Sequence, residues 1–264
     1  MSNLKAIIFD VDGTLADTER LGHRVAFNQA FADAGLDWNW NEELYGELLT
    51  VTGGKERIKF FINKYLDDFK LANPDKYIAD IHASKTRHYV ELVNSGKLPL
   101  RQGAASLIKS ALKNDIKVAI ATTTTWENVE TLLKSQLGAG SLDWFSVIAA
   151  GDIVEHKKPA PDIYLYALNK LGLEAENCIA LEDSRNGLLS SIGAGLKTVV
   201  TTNGYTKNEN LSEAELVVNK IGTEAKPFKI ASGYNYGQSY VNLTLRPLHN
   251  SPSKYGQMLK LPAS

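Results

Sequence analysis

Residues 6–14, AIIFDVDGT, decide the fold of this chain. Four consecutive apolar residues are typical of a strand that is buried on both faces, as in a parallel sheet. The strand runs into Asp10 and Asp12, and the carboxyl ends of parallel strands open onto the crevice in which ligands bind. Two acids spaced by one residue can therefore point into one small space, while Gly13 lets the chain turn away sharply. Calcium loops share the Asp-x-Asp-Gly spacing, here with Glu19 as a possible last ligand, although the preceding strand favours the sheet.

Further apolar segments resemble the first, and helical patterns separate them. The strand candidates are Val118–Ala121, Ser146–Ala149, Cys178–Leu181, Thr198–Val200 and, more weakly, Leu216–Val218. The helix candidates, in which apolar residues recur every three or four positions, are Gly103–Asn114, Trp126–Leu137, Pro161–Leu171 and Arg185–Ala194. Strands that alternate with helices predict crossover connections. We therefore expect an α/β fold with a doubly wound, Rossmann-like parallel sheet.

Residues 18–96 interrupt this alternation with a block that is helical throughout. Its helix candidates are Arg20–Ala34, Asn41–Leu49, Lys55–Phe69 and Pro74–Asn94. The alternative to a separate domain, in which these helices pack on the sheet, would place about 80 residues on one crossover, far above usual connection lengths. The pattern predicts a helical cap inserted after the first strand, with a core domain formed by residues 1–17 and 97–225.

Residues 226–264 differ in composition from the rest of the chain. The segment holds four of the eight prolines, five Lys or Arg residues and no acid. A disordered or loosely docked tail is the expected structure. The alternative is a nucleic-acid arm, because aromatic residues interleaved with cations stack on bases.

Composition limits the partners of the whole chain. Its 29 Lys and Arg residues nearly balance its 30 Asp and Glu residues, so no overall field attracts nucleic acid or an anionic membrane. The single cysteine, Cys178, excludes an internal disulfide framework and fits a reducing compartment. The chain has no apolar run of the roughly 20 residues that span a bilayer, and its N-terminal apolar stretch is too short for a secretory signal. We expect a cytoplasmic monomer that binds neither nucleic acid nor membrane.

Polar residues also follow two other predicted strands. Residues 122–125 are a run of threonines, and Glu182 and Asp183 follow the strand that begins at Cys178. Each signal is weak alone, because threonines and acids also cap helices. Together with the cations Lys157 and Lys158, they place carboxylates, hydroxyls and positive charge around one mouth. Phosphoryl transfer uses this set of groups.

Four motifs in this order resemble the haloacid dehalogenase superfamily, in its phosphatase branch. They are Asp-x-Asp-Gly-Thr at residues 10–14, a strand that ends in Thr122, Lys-Pro-x-Pro-Asp-x-Tyr at residues 158–164, and Glu-Asp-Ser at residues 182–184. The resemblance covers residues 5–225. Segments 52–57 (TGGKER), 82–86 (HASKT) and 149–152 (AAGD) further resemble the CbbY-like sugar-bisphosphate phosphatases. That family accompanies the Calvin cycle and dephosphorylates xylulose 1,5-bisphosphate.

The resemblance implies a role for each core residue. Asp10 would be the nucleophile that forms an aspartyl-phosphate, and Asp12 the general acid and base. Thr122 and Lys158 would bind the oxygens of the transferring phosphoryl group. A magnesium ion would be held by the Asp10 carboxylate, the Asp12 backbone carbonyl and Asp183, with Glu182 orienting these ligands.

The resemblance also implies that the cap binds the substrate. The residues expected to contact it are Glu19, Thr52, Gly53, Gly54, Lys55, Glu56, His82 and Lys85, with Thr123 from the core. His23, four residues after Glu19, has a less certain role. The expected activity is hydrolysis of a sugar bisphosphate. Alternatives are a phosphoglycolate phosphatase, a phosphomutase similar to β-phosphoglucomutase, and a non-catalytic sugar-phosphate sensor.

Overall fold

A seven-stranded sheet forms the centre of the core domain. The computed structural model describes residues 4–66, 69 and 72–233. The strands are β1 (Ala6–Phe9), β2 (Lys117–Thr122), β3 (Phe145–Ala150), β4 (Cys178–Glu182), β5 (Lys197–Thr201), β6 (Leu216–Val218) and β7 (Ile230–Gly233). Their spatial order is β3-β2-β1-β4-β5-β6-β7; neighbours from β3 to β6 pair in parallel, and β7 pairs antiparallel to β6. The predicted doubly wound parallel sheet is confirmed.

Helices cover both faces of this sheet. The core helices are α5 (Ala104–Lys113), α6 (Trp126–Leu137), α7 (Asp162–Leu171) and α8 (Arg185–Gly193). On β1, Ile7 and Phe9 pack in the cluster that contains α5 and α6, whereas Ala6 and Ile8 pack in the cluster that contains α7. Because side chains alternate between the faces of a strand, a strand covered on both faces needs consecutive apolar residues. This burial explains the AIIF sequence.

The cap is helical, as the sequence predicts. It begins with one π-helical turn (Glu19–His23) and continues through α1 (Arg24–Asp33), α2 (Glu42–Leu48), α3 (Gly54–Tyr65) and α4 (Pro74–Asn94). The cap has its own aromatic core, in which Phe31 meets Trp40 edge to face with ring centroids 4.8 Å apart. The end of α4 belongs to the core domain, since Tyr89 and Val93 pack in the cluster that contains α5 and α6. The longest helix therefore ties the cap to the sheet.

The sheet extends beyond the expected end of the core domain at residue 225. Ile230–Gly233 forms β7 and pairs with β6, so the expectation that the tail begins at Lys226 is wrong for these residues. The sequence pattern misses β7 because an edge strand is held by backbone pairing and needs little apolar surface; here Ile230 is half-buried and the next three residues are exposed. The rest of the tail, residues 234–264, lies outside the described residues. Among the helices that the structure describes, none combines the length and the apolar character needed to cross a bilayer.

Candidate active site

The carboxyl ends of β1, β2 and β4 bring the predicted core residues to one edge of the sheet. Because these strands are neighbours, Asp10, Thr122 and the pair Glu182-Asp183 meet at a single mouth. All four side chains are buried. Lys158, from the loop before α7, completes the group. Within the threonine run, Thr122 and Thr123 line this mouth, and Thr125 accepts a hydrogen bond from the backbone N–H of Asn128 and caps α6.

Lys158 forms the positive centre of this mouth. Its Nζ donates to Asp10 Oδ1 at 2.8 Å, to Glu182 Oε1 at 2.6 Å and to the carbonyl of Ala121 at 2.9 Å. Burial alone would lower the pKa of Lys158, but the charges of Asp10 and Glu182 outweigh it and raise the pKa. The ammonium group is therefore a permanent charge. The preceding residue, Lys157, instead reaches the cap, where its Nζ lies 2.7 Å from Glu56 Oε1.

The carboxylates around Lys158 form a candidate cation site. Ligand atoms of Asp10, Glu182 and Asp183 all lie within 4.8 Å of one another. Burial raises the pKa of Asp10 to about 7, although Lys158 opposes the shift, and burial with the neighbouring charges of Asp10 and Glu182 raises that of Asp183 well above its usual range. A bound cation stabilises the ionised form of clustered carboxylates whose pKa values are raised, and carboxylate oxygens are the donors that Mg²⁺ prefers. The donor set therefore fits a divalent ion.

Hydrogen bonds divide the roles within this acidic group. Glu182 Oε1 accepts from Lys158 and from the Tyr164 hydroxyl at 2.5 Å, and its Oε2 accepts from the backbone N–H of Asp183 at 3.3 Å. These bonds connect Glu182 to the backbone of Asp183 and, through Lys158, to Asp10. Asn203 Nδ2 fixes Asp183 by donating to Oδ2 at 2.6 Å. Any side chain at Gly13, whose φ is +84°, would overlap the Asp183 carboxylate.

Asp12 has different surroundings from Asp10. Its Oδ1 accepts from the Thr18 hydroxyl at 2.6 Å and lies 2.8 Å from His23 Nε2. Burial would raise the pKa of Asp12, but the charge and hydrogen bond of His23, with help from Thr18, lower it to about 2. The His23 ring stacks on Tyr89, with centroids 4.3 Å apart. His23, whose role the sequence left uncertain, therefore contacts the expected general acid.

Two adjoining cavities lie between the cap and the core. The first, of about 360 Å³, contains the core residues just described and the cap residue Thr52. The second, of about 260 Å³, is lined mainly by the cap and by the loops after β2 and β3. Four residues line both cavities: Asp12, Glu19, Arg57 and Thr123. A ligand with two anionic ends could therefore extend from one cavity into the other.

The second cavity gathers most of the expected cap residues. Gly53, Gly54, Lys55, His82 and Lys85 all line it. Burial lowers the pKa of Lys85 to about 8, while burial and the charges of Lys85 and Lys55 lower that of His82 to about 3. Because His82 is neutral at pH 7, the positive charge of this cavity comes from its lysines and from the buried Arg57. Gly54 leaves room for His82, since a Cβ there would lie 2.5 Å from His82 Nε2.

Two of the expected cap residues also hold the cap against the core. Thr52 Oγ1 accepts from Asn186 Nδ2 at 3.0 Å, and Glu56 pairs with Lys157. Position 53 requires glycine, because its φ is +99° and a Cβ would overlap the Glu56 carboxylate. The start of α3 therefore contributes both to the cavity and to the contacts between the cap and the core.

The sequence interpretation missed several residues of the site. Arg57 is buried, lies 3.6 Å from Glu19 Oε2, and donates to the Tyr45 hydroxyl at 2.8 Å; Tyr45 in turn donates to Glu19 at 2.5 Å. A cation within the buried stripe of α3 was the available signal. Asn203 lies two residues beyond the end of β5, so the expectation that polar residues after parallel strands line the crevice could have identified it. Arg101 donates to the carbonyls of Gly13, Thr201 and Thr202 and joins the loops after β1 and β5, which no local pattern indicates.

Comparison with known proteins gives consistent matches over most of the chain. A family model for haloacid dehalogenase-like hydrolases matches residues 4–213. Protein CbbY of Rhodobacter capsulatus is 50% identical over 212 residues, which cover 80% of this chain and 91% of that protein. The crystal structure of CbbY from Rhodobacter sphaeroides in complex with phosphate superposes with a TM-score of 0.77 at 48% identity and covers 82% of this chain and 94% of that one. A mutant of that protein in complex with xylulose 1,5-bisphosphate superposes with a TM-score of 0.78 at 46% identity, covering 84% and 98%.

Proposed function

Since the chain belongs to the haloacid dehalogenase-like hydrolases and is a phosphatase of their CbbY group, we propose that it hydrolyses a phosphate monoester of a sugar bisphosphate. Xylulose 1,5-bisphosphate is the proposed substrate. The observation that carries this proposal is the pair of adjoining cavities: one contains Asp10 and Lys158, and the other is lined by Lys55, Lys85 and Lys157. The relative with xylulose 1,5-bisphosphate bound supports the choice of sugar.

Asp10 is the proposed nucleophile. One of its carboxylate oxygens attacks phosphorus, the bond to the sugar oxygen breaks, and an aspartyl-phosphate forms. Lys158 orients the carboxylate and, with Thr122, would bind the phosphoryl oxygens. Asp10, the backbone carbonyl of Asp12 and Asp183 would hold a magnesium ion, whose positive charge would favour ionised Asp10 and balance the charge of the phosphate.

Asp12 is the proposed general acid and base. Its side chain donates a proton to the leaving sugar oxygen in the first step. In the second step it takes a proton from the water that attacks phosphorus and releases inorganic phosphate from Asp10. The pKa of about 2 belongs to the substrate-free site; a phosphate dianion nearby disfavours ionised Asp12 and raises this pKa toward the range needed for an acid.

The second cavity is the proposed source of selectivity. The core residues would bind the phosphoryl group that is transferred. The distal phosphate of a five-carbon sugar would therefore contact Lys55 and Lys85. Pairing this dianion in a closed, water-poor site contributes binding energy that also holds the cap shut. The concentration of lysines favours a bisphosphate over phosphoglycolate, whose far end is a single carboxylate.

A phosphate-release screen tests this function. Purified protein is assayed with and without magnesium on mono- and bisphosphates of xylulose, ribulose, fructose and glucose, and on phosphoglycolate. We expect magnesium-dependent release that is fastest from xylulose 1,5-bisphosphate. Asp10→Asn should abolish it with the fold intact, because the nearly isosteric amide is a poor nucleophile. Retention of more than a few per cent of activity would contradict a nucleophilic Asp10.

A further inference from the structure

Asp152 lies between two lysines on the wall of the second cavity. Lys55 Nζ is 2.7 Å from its Oδ2, and Lys157 Nζ is 2.9 Å from its Oδ1. Lys55 comes from the first turn of α3 in the cap, whereas Asp152 and Lys157 come from the loop after β3 in the core. All three residues line the cavity. A single carboxylate thus binds two ammonium groups at the place proposed for a distal phosphate.

Charge explains why an anion is needed at this position. Two ammonium groups that converge on one point repel each other, and an anion between them cancels the repulsion. Hydrogen bonds from Lys55 and Lys157 lower the pKa of Asp152 to about 2, so the carboxylate is ionised at neutral pH. It therefore presents to both lysines what a substrate phosphate would present, namely negatively charged oxygen.

We propose that Asp152 is a resident substitute for the distal phosphate. In the ligand-free closed cap its carboxylate keeps Lys55 and Lys157 in place, and the distal phosphate of a bisphosphate displaces it. This inference rests on the proposed function and names the residue that competes with the distal phosphate at the same site. Asp152 thus sets how tightly a distal phosphate binds, because the substrate must displace the carboxylate to reach both lysines.

The strength of the contacts makes this exchange feasible. The Asp152 and Lys55 side chains are 57% and 45% exposed, and ion pairs in such positions are individually weak. A phosphate offers up to two negative charges and three acceptor oxygens, whereas a carboxylate offers one charge and two oxygens. A substrate with an uncharged far end, such as p-nitrophenyl phosphate, gives the lysines no replacement and leaves Asp152 bound to them.

A different role for Asp152 would be to latch the cap. Lys157 also pairs with Glu56 at 2.7 Å, which joins core and cap independently of Asp152. Removal of the Asp152 charge therefore leaves one of the cap–core ion pairs in place. The two roles predict opposite results: loss of a competing anion tightens bisphosphate binding, whereas loss of a latch weakens the binding of every substrate.

The dissociation constant of xylulose 1,5-bisphosphate distinguishes these roles. Calorimetry is done in the Asp10→Asn background to prevent turnover, comparing that variant with Asp10→Asn/Asp152→Asn. The control is Asp10→Asn/Glu155→Gln, which removes a charge from the same loop at a side chain that is 87% exposed. We expect Asp152→Asn to lower the dissociation constant about 3- to 10-fold, from the loss of two weak competing pairs, and the control to change it less than two-fold.

The outcomes separate this inference from the proposed function. An unchanged or higher dissociation constant in the Asp152→Asn variant overturns the inference, as does a bisphosphate that binds neither variant. Turnover of xylulose 1,5-bisphosphate and p-nitrophenyl phosphate is then compared in variants with intact Asp10. A fall in KM confined to the bisphosphate supports the substitute role, and equal changes on both substrates overturn it. If the wild type binds the bisphosphate but does not hydrolyse it, the proposed function fails while the dissociation constants still decide the role of Asp152.

Discussion

Removal of the Tyr164 hydroxyl would test whether the orientation of Glu182 is needed for stability and magnesium-dependent activity. Tyr164 is fully buried on α7, and its hydroxyl donates to Glu182 Oε1 at 2.5 Å. Its ring also lies under Lys158, whose Nζ is 5.1 Å from the ring centroid. Tyr164→Phe removes the hydroxyl and keeps the ring, so the change isolates one hydrogen bond.

The magnitude follows from the charge and burial of the acceptor. A hydrogen bond to an ionised group contributes about 1.5–3 kcal/mol, and Glu182 Oε1 keeps its bond from Lys158 in the variant. We expect the free energy of unfolding to fall by about 2 kcal/mol, which corresponds to a decrease in Tm of about 4–8 °C in a chain of this size. On the proposal that Glu182 orients Asp183 and, through Lys158, Asp10, we also expect half-maximal activity to require about 10-fold more magnesium.

Denaturation and magnesium titration provide separate readouts. Urea unfolding gives the change in stability, and the rise in Tm with added magnesium reports ion binding without turnover. Tyr166→Phe is the matched control, since Tyr166 is a half-buried tyrosine two residues later on the same helix. If Tyr164→Phe and Tyr166→Phe gave the same stability and the same magnesium dependence, the orienting role of Tyr164 would be refuted.

Two further predictions concern the second cavity. Lys55→Ala should lower kcat/KM for xylulose 1,5-bisphosphate by about 30-fold, equivalent to about 2 kcal/mol, with a much smaller loss on p-nitrophenyl phosphate. Equal fractional losses would mean that Lys55 serves only the structure of the cap. The pKa of His82 is about 3 in the fold against 6.5 ordinarily, so between these values the unfolded chain binds an extra proton and stability falls as pH decreases. From pH 7 to pH 5, wild type should lose about 1–2 kcal/mol more than His82→Gln in urea unfolding; parallel losses would contradict a half-buried, neutral His82.

The sequence predicts the sheet and the first motif well because both are local. Consecutive apolar residues on β1 are required by burial on two faces, and the acids after Phe9 follow from the strand end. It does not predict which charges meet. Lys55 and Asp152 are 97 residues apart and pair only because the cap closes on the loop after β3. Arg57 likewise acquires its role from Tyr45 and Glu19, which the folding of the cap brings to it.

The first motif also shows how an inserted domain can distinguish two acids that are one residue apart. The spacing of Asp10 and Asp12 places both in one small space but gives no reason for them to differ. Lys158 of the core holds Asp10, whereas Thr18 and His23, at the start of the cap, hold Asp12. Burial raises the pKa of Asp10 to about 7 although Lys158 opposes the shift, whereas His23 and Thr18 outweigh burial and lower the pKa of Asp12 to about 2. Because the cap is inserted directly after this motif, its first turn reaches Asp12, and the proposed general acid is coupled to the position of the cap while the proposed nucleophile is coupled to the core.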